Sequence, residues 1–323
     1  MDLENKKKII AVDEKHSIYV NYFLDSQLNH YFNKFIYFKY YTNKTQGYYL
    51  QLVRNSDNKV IANLAFSVSN KNSLLSPLKG TFGGVSAKEQ IDLFLLENFL
   101  NIAIFKILSN YKLITIKLNP LAYNARLCSK CINILSRIGF KITCSDLNYS
   151  LNLETTNFPD NISSGNKKKI RQCEKFGYIV NKLDVADYNK AYDVISKNRL
   201  QKKYKLSVNQ EEFVHMVDLF ENDIICFGVS HSDTTELVAS SICIKISSDV
   251  LYVFYWGDIL IESSFSPVAL LATNIVQFAK DNNFKILDIG TSSINSVPLY
   301  SLANFKVNLG FEESLKFTME LSR

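Results

Sequence analysis

Arg137-Ile-Gly-Phe140 and Asn308-Leu-Gly-Phe311 are two copies of one local pattern, and they lie 171 residues apart. Each copy follows a run with apolar residues at helical spacing and precedes a run typical of a β-strand. A glycine at such a place adopts the left-handed conformation that ends a helix. The pattern therefore predicts a helix, a glycine turn and a strand at two corresponding places in the chain.

The elements that precede the two copies also recur in the same order. Each half contains a strand pair, a helix, a strand, a second helix and a closing strand. In the first half these elements are expected at 48–54, 60–68, 87–110, 112–118, 122–137 and 148–153. In the second half they are expected at 225–231, 237–246, 267–282, 285–289, 297–308 and 315–321. A constant order at a nearly constant offset indicates the duplication of one unit.

The expected fold class is therefore α/β with a mixed sheet, arranged as two tandem domains. A chain of 323 residues is long enough for two ordinary domains. The stretch from Glu154 to Gly165 contains Thr, Asn, Pro, Ser and Gly, as linkers commonly do. We place the domains at 1–155 and 156–323.

The composition indicates a protein without membrane spans. Apolar residues make up 47% of the chain, yet no run approaches the roughly 18 uninterrupted apolar residues that a span requires. The start of the sequence, 1–8, is charged, and the apolar segment after it is too short for the core of a signal peptide. We therefore expect a cytoplasmic location.

Cys128-Ser-Lys-Cys131 is the cysteine pair whose spacing suits zinc or redox chemistry. The sequence has no second pair at zinc-finger spacing and no histidine close to this one. The six cysteines are better interpreted as small buried apolar residues than as a disulfide framework. No metal site is expected.

Basic residues are concentrated in one segment of the chain. Between Asn166 and Lys205 there are twelve Lys or Arg and four Asp or Glu, whereas the remainder carries 25 basic and 27 acidic residues. Such a segment is either the solvated face of helices or a site for phosphate groups. Its densest part is Lys167-Lys168-Lys169-Ile-Arg171, which opens a helix whose dipole would also favour an anion.

Three segments carry a resemblance to a known family. They are a basic helix ending in Lys-x-Gly, a central strand followed by a crossover, and a terminal motif: Asn166–Gly177, Phe254-Tyr-Trp-Gly-Asp258 with Ser266-Pro267, and Phe305-Lys306-x-x-Leu309-Gly310-Phe311. Ser76-Pro77 and Phe82-Gly83-Gly84 add to it in the first half. The chain resembles the Fem-like acyltransferases, which contain two tandem units of the Gcn5-related N-acetyltransferase (GNAT) fold. The resemblance implies two GNAT-like domains around a central cleft.

The resemblance also implies an acyl or aminoacyl donor. Members that use acetyl-CoA bind its pyrophosphate with an Arg/Gln-x-x-Gly-x-Gly/Ala loop at a helix N-terminus. Neither Thr81–Ser86 nor Gly257–Pro267 contains this motif. The donor is therefore either acyl-CoA or aminoacyl-tRNA, with no tightly bound cofactor and tRNA as a possible partner.

The candidate catalytic residues are Lys306 and Asp258. Lys306 replaces the tyrosine that many GNAT members place before Gly-Phe, and the resemblance implies a position near the acyl donor. Its ammonium could stabilise an oxyanion, protonate the leaving group or bind a phosphate; otherwise it is a lysine on a helix surface. Asp258 is either a general base or the cap of the turn after its strand.

The candidate substrate-binding residues are cationic or aromatic. Arg199 falls where Fem-like enzymes place an arginine on the acceptor's phosphates, or it is one more solvated cation. The others are Lys167, Lys168, Lys169, Arg171, Tyr255, Trp256 and Phe305. Tyr255 and Trp256 line a cleft or fill the core, and Asp288, inside an apolar strand, either forms a structural bond or faces the cleft.

The predicted function is transfer of an acyl or aminoacyl group onto an amino group of a phosphate-bearing precursor of the cell wall or of a surface glycan. The acceptor would be a small molecule or lipid-linked. One alternative is an aminoacyl-tRNA-dependent peptidoglycan bridge transferase in the strict sense. Another is a scaffold protein that has lost catalysis. Because the second half carries Lys306 and follows the basic segment, we expect the chemistry there.

Overall fold

A computed structural model describes residues 8–26, 28, 30–42, 46–77, 79–88, 90–259 and 265–323. Residues 1–7, which contributed to the expected location, lie outside the described residues. The described residues form two compact units. Unit 1 comprises residues 1–146 with 314–323, and unit 2 comprises 147–313.

The strands follow one another along the chain as sixteen segments of the described residues. They are β1 Lys8–Ala11, β2 His16–Val20, β3 Gly47–Arg54, β4 Lys59–Asn70, β5 Ser73–Ser76, β6 Ser86–Ala87, β7 Leu113–Lys117, β8 Lys141–Asn152, β9 Tyr178–Lys182, β10 Ile224–His231, β11 Leu237–Lys245, β12 Val250–Asp258, β13 Ile286–Thr291, β14 Ser293–Ile294, β15 Val297–Pro298 and β16 Glu312–Ser322.

The α-helices of the described chain alternate with these strands. They are α1 Phe35–Thr42, α2 Leu93–Asn101, α3 Ala125–Arg137, α4 Phe158–Asn161, α5 Ser164–Lys175, α6 Tyr188–Gln201, α7 Gln210–Phe220, α8 Pro267–Asp281 and α9 Tyr300–Asn308. Helix α2 continues as a π-helical stretch, Ile102–Ile107. It begins later than the expected 87–110 because Ala87 pairs with β4 and the Asp92 side chain caps the helix by accepting from the Leu95 amide.

The sheet of unit 1 has the strand order β1-β2-β3-β4-β5-β7-β16. All neighbours are antiparallel except β5 and β7, which run parallel from the pair Ser73 with Leu113 to the pair Ser76 with Ile116. One face of this sheet packs its apolar side chains against α2 and α3. The mixed sheet predicted from the sequence is therefore present in unit 1.

Unit 2 repeats this plan with the order β9-β10-β11-β12-β13-β8. Here β12 and β13 form the parallel pair, and the other neighbours are antiparallel. Helix α8, whose apolar residues are buried around most of its circumference, lies against β10, β11 and β12. Pro267 begins this helix, as the sequence predicts.

Both Gly-Phe pairs end a helix in the predicted way. Gly139 has φ +102° and Gly310 has φ +90°, a conformation that glycine adopts without steric cost. The amide of Phe140 donates to the carbonyl of Leu135, and the amide of Phe311 donates to that of Lys306. Leu135 and Lys306 are therefore equivalent positions in the two copies.

The closing strands are exchanged between the units. The strand after the first Gly-Phe, β8, pairs with β13 over Asn148–Asn152, inside unit 2. The strand after the second, β16, pairs with β7 over Thr318–Ser322, inside unit 1. The division at residue 155 therefore describes the sequence repeat, and as a domain boundary it stays a prediction.

Candidate active site

The parallel strands β12 and β13 of unit 2 separate at their carboxyl ends. Their register covers only the pairs from Val250 with Ile286 to Tyr252 with Asp288. Beyond Tyr252, strand β12 is displaced by a bulge at Phe254 and continues along β11 to Asp258. Such a separation leaves space at the carboxyl ends of parallel strands, where α/β sheets commonly bind ligands.

Lys306 is buried beside this separation. Helix α9 presents it with 2% of its surface exposed, so a lysine on the helix surface is excluded. Its Nζ donates to the carbonyl of Gly290 at 2.8 Å and to that of Thr291 at 2.9 Å. The same atom lies 5.3 Å from the centre of the Tyr149 ring. The ammonium is thus held at the end of β13.

Burial lowers the pKa of Lys306 to about 7. A charged amine is poorly stabilised away from water, so the neutral form becomes competitive near neutral pH. The negative charge of Asp288 favours the ammonium, whereas the positive charge of Arg199 opposes it. A lysine in this range can donate a proton or carry a charge at physiological pH.

Asp288 shapes the turn that Lys306 contacts. Its carboxylate is fully buried and accepts from the side-chain amide of Asn148 at 3.1 Å and from the backbone amide of Gly290 at 2.6 Å. Gly290 has φ +77°, which turns the end of β13. Of the two alternatives left by the sequence, Asp288 therefore forms structural bonds.

Arg199 is the second cation of this part of unit 2. It lies near the end of α6, is half-buried, and donates to the carbonyl of Trp256 at 3.4 Å. Burial lowers the pKa of its guanidinium. Among the residues that the structure describes, no carboxylate lies within ion-pair distance of it. Arg199 and Lys306 thus place two positive charges near one another, with Asp288 as the acid that acts on Lys306.

Asn198 fixes α6 against the end of β12. Its side-chain amide donates to the carbonyl of Asp258 at 2.6 Å and to the carboxylate of Asp258 at 3.2 Å. A Cβ on Gly257 would lie 2.9 Å from the Asn198 side chain, so this approach requires glycine. Asp258 is 8% exposed, and burial raises its pKa while the charge of Lys202 opposes the rise. A buried carboxyl with a raised pKa suits a general base.

The aromatic candidates pack around the same strand. Trp256 and Phe305 contact edge to face at 6.2 Å and rest partly buried on the core of unit 2. Tyr255 is also half-buried, and its hydroxyl accepts from the amide of Ser207 at 3.0 Å. The structure therefore brings Tyr255, Trp256 and Phe305 near Lys306 and Arg199.

The basic run on α5 lies apart from these residues. Lys168, Lys169 and Arg171 are exposed, and Lys167 is half-buried. None of these four charges acts on the pKa of Lys306 or Arg199. The N-terminus of α5 is capped by Ser163, whose hydroxyl accepts from the amide of Asn166. In unit 2 this run has the form of a solvated helix face, and phosphate binding there stays a prediction.

Three residues near the site were missed in the sequence: Asn148, Tyr149 and Asn198. The first two lie on β8, which the repeat assigned to the first half, so no signal linked them to Lys306. Asn198 adjoins Arg199 and could have been inferred from the glycine at 257, which indicates a close approach of another element. In unit 1 the position equivalent to Lys306 is Leu135, a fully buried core residue.

Solved structures resemble the whole chain. FemX aligns with a TM-score of 0.70 at 12% identity, covering 92% of this chain and 94% of that one. The fold is the Fem-like pair of GNAT units. L-PGS from Bacillus licheniformis aligns at 0.57 and 12% identity, covering 90% and 92%. The C-terminal domain of a putative lysylphosphatidylglycerol synthetase from Agrobacterium fabrum aligns at 0.57 and 7%, covering 81% and 82%.

These likenesses confirm the fold class expected from the sequence. Identities this low show a shared fold, and a fold alone does not fix a function. No protein-family model and no curated protein matches the sequence. Membership of the Fem-like fold class therefore rests on the structural likeness.

Metal and membrane features were searched over the described parts of the chain. There, no cluster of three or more His, Cys, Asp or Glu side chains could hold a metal ion. Cys128 and Cys131 are buried free thiols, and burial raises the pKa of each. None of the described helices is both long and apolar enough to span a membrane.

Proposed function

We propose that the chain transfers an acyl or aminoacyl group onto an amino group of a phosphate-bearing acceptor. The observation that carries this proposal is the pair of adjacent cations, Lys306 and Arg199, at the separation of β12 and β13. Two cations with so little neutralising acid are unfavourable unless an anion joins them. A phosphate or a developing oxyanion supplies that negative charge.

Lys306 and Asp258 divide the proton transfers of the proposed reaction. The neutral amine of the acceptor attacks the acyl carbonyl, and the carbonyl oxygen gains negative charge. The Lys306 ammonium stabilises this oxyanion and donates a proton to the leaving group. Asp258, whose pKa is raised by burial, accepts the proton that the attacking amine loses. The bond to the donor breaks as the bond to the acceptor nitrogen forms.

Arg199 binds the phosphate of the acceptor in this scheme. A guanidinium offers several donors in one plane and pairs well with phosphate oxygens. The acceptor is a small-molecule or lipid-linked precursor of the cell wall or of a surface glycan. A phosphate-bearing lipid also occurs in the name of the lysylphosphatidylglycerol synthetase whose domain resembles this chain.

The donor is tested by titration with acetyl-CoA and, separately, with a charged tRNA across a salt series. Trp256 is the single tryptophan and lies beside the proposed site, so its fluorescence can report binding. Micromolar binding of the tRNA, weakened by salt, supports the aminoacyl donor. Micromolar binding of CoA alone would exclude it. If a folded protein binds neither, the scaffold function replaces transfer.

Arg199→Ala should raise the KM for the acceptor roughly 10- to 100-fold and change kcat little, because it removes a contact made to the bound substrate. Lys306→Met should lower kcat about 100-fold or more, since its charge acts on the transition state. Arg171→Ala on the exposed face of α5 is the matched control and should leave both constants unchanged. Unchanged kinetics in Arg199→Ala and Lys306→Met would reject their roles.

A further inference from the structure

Unit 1 contains a cavity of about 260 Å³ that lies away from the residues of the proposed function. It is bounded by β3, β4, the beginning of α1 and part of the segment that leads to α1. A water molecule occupies roughly 30 Å³, so the cavity is larger than an internal water site. A small organic molecule of several heavy atoms would fill it.

One wall of the cavity is an unusual polar face of the sheet. Gln51 and Asn63 are cross-strand neighbours on β3 and β4, and both are buried to within 1%. The Gln51 side chain exchanges two hydrogen bonds with the backbone of Leu24, at 2.8 and 2.9 Å. These bonds hold the segment around Leu24 over the sheet. The residues on the opposite face, such as Leu50 and Leu64, belong to the apolar core.

Two cavity-lining amides have acceptor oxygens without a partner. The Oδ1 atoms of Asn33 and Asn63 are buried and accept no hydrogen bond from the described residues. The orientation of Asn33 is fixed, because its Nδ2 must face the carbonyl of Gly84 at 3.1 Å, which can only accept. An unsatisfied buried acceptor costs about 1–3 kcal/mol. Two in one cavity indicate a ligand that donates hydrogen bonds.

Charges of both signs also line the cavity. Asp25 is exposed, and Lys34 is half-buried at the start of α1. The rings of Phe23 and Tyr49 lie 6.5 Å apart and provide faces that attract a cation. Leu28 and Ile36 add apolar surface. The lining therefore complements a small molecule with an ammonium, a carboxylate and an apolar group.

We propose that this cavity binds a free α-amino acid with an apolar side chain. The ammonium donates to the amide oxygens of Asn33 and Asn63 and pairs with the carboxylate of Asp25. The carboxylate of the ligand pairs with Lys34, and its side chain packs on Leu28. This site goes beyond the proposed transfer, because it lies within unit 1 and uses none of the residues proposed for the reaction.

Calorimetric titration of the whole protein tests the ligand chemistry. L-leucine is compared with 3-methylbutylamine, which lacks the carboxylate, and with 4-methylpentanoate, which lacks the ammonium. We expect a dissociation constant below about 1 mM for leucine and at least about tenfold weaker binding of the other two compounds. No leucine binding up to about 10 mM, or equal binding of the amine or the acid, would overturn the proposal.

Surface variants locate the binding. Asp25→Asn and Lys34→Gln should each weaken leucine binding about 5- to 20-fold. Asp57→Asn and Lys59→Gln, charge-matched changes in the exposed turn between β3 and β4, should leave it unchanged. Arg199→Ala should also leave it unchanged, which separates this site from the proposed reaction. Equal binding by all five variants would place the amino acid elsewhere and reject the assignment.

Discussion

Met319→Ala should destabilise unit 1 by about 2–5 kcal/mol, although Met319 lies only four residues from the carboxyl end of the chain. Met319 is fully buried on β16, pairs with Ile116 of β7, and belongs to the core of unit 1. Truncation leaves a cavity where its side chain packed. Because β16 belongs to unit 1, the loss should appear in the unit made mostly from the first half of the sequence.

Hydrogen exchange measured by mass spectrometry can distinguish the two units. Peptides that cover β7, Leu113–Lys117, should lose protection in Met319→Ala, whereas peptides that cover β12, Val250–Asp258, should keep it. Met216→Ala is the matched control, since Met216 is buried on α7 in unit 2. It should lower protection in β12 and leave β7 protected. The opposite distribution of protection would show that the closing strands are not exchanged.

The sequence predicts most elements of the fold because its local patterns specify them. The glycines at 139 and 310 take the left-handed conformation expected at a helix end, and the strands on both sides of each hairpin lie within one or two residues of their expected bounds. Strand partners are a different matter. The residues of β8 and β16 favour extended structure, but which strand each one joins depends on packing far along the chain, and no local pattern encodes it.

The candidate site was also predictable in part. The position of Lys306 before Gly-Phe points to it in the sequence, and the resemblance adds Arg199. Its burial could not be predicted, because a lysine on a helix is usually exposed. It is buried because the Asp288 carboxylate and the left-handed Gly290 turn two carbonyls toward its ammonium. That arrangement joins β13 to α9 and depends on tertiary structure.

The strong basic run illustrates the reverse error of emphasis. Local charge density drew attention to Lys167 through Arg171, yet most of these side chains are exposed on α5. Exposed lysines are strongly solvated and need no anion. A half-buried arginine without a carboxylate, such as Arg199, is the stronger indication of an anionic ligand. Burial therefore discriminates between cations that a count of charges treats alike.

The buried lysine leads to the second large prediction, which concerns pH. In the unfolded chain Lys306 keeps a pKa near 10.5, whereas in the folded protein it is about 7. Between these values the unfolded chain binds one more proton than the folded protein, so the contribution of Lys306 to stability rises with pH. The slope is about 1.4 kcal/mol per pH unit. Below pH 7 both states are protonated, and the full cost of burying the ammonium is present.

Lys306→Met isolates this contribution. The variant loses the bonds to Gly290 and Thr291, which shifts its stability by an amount that does not depend on pH. We expect the stability of the unaltered protein relative to the variant to rise by about 3 kcal/mol from pH 7 to pH 9.5. Urea unfolding followed by Trp256 fluorescence measures it in unit 2. Lys168→Met should give a nearly constant difference, because an exposed ammonium is solvated in both states. A constant difference for Lys306→Met as well would mean that the buried amine stays fully protonated, held by its two carbonyls.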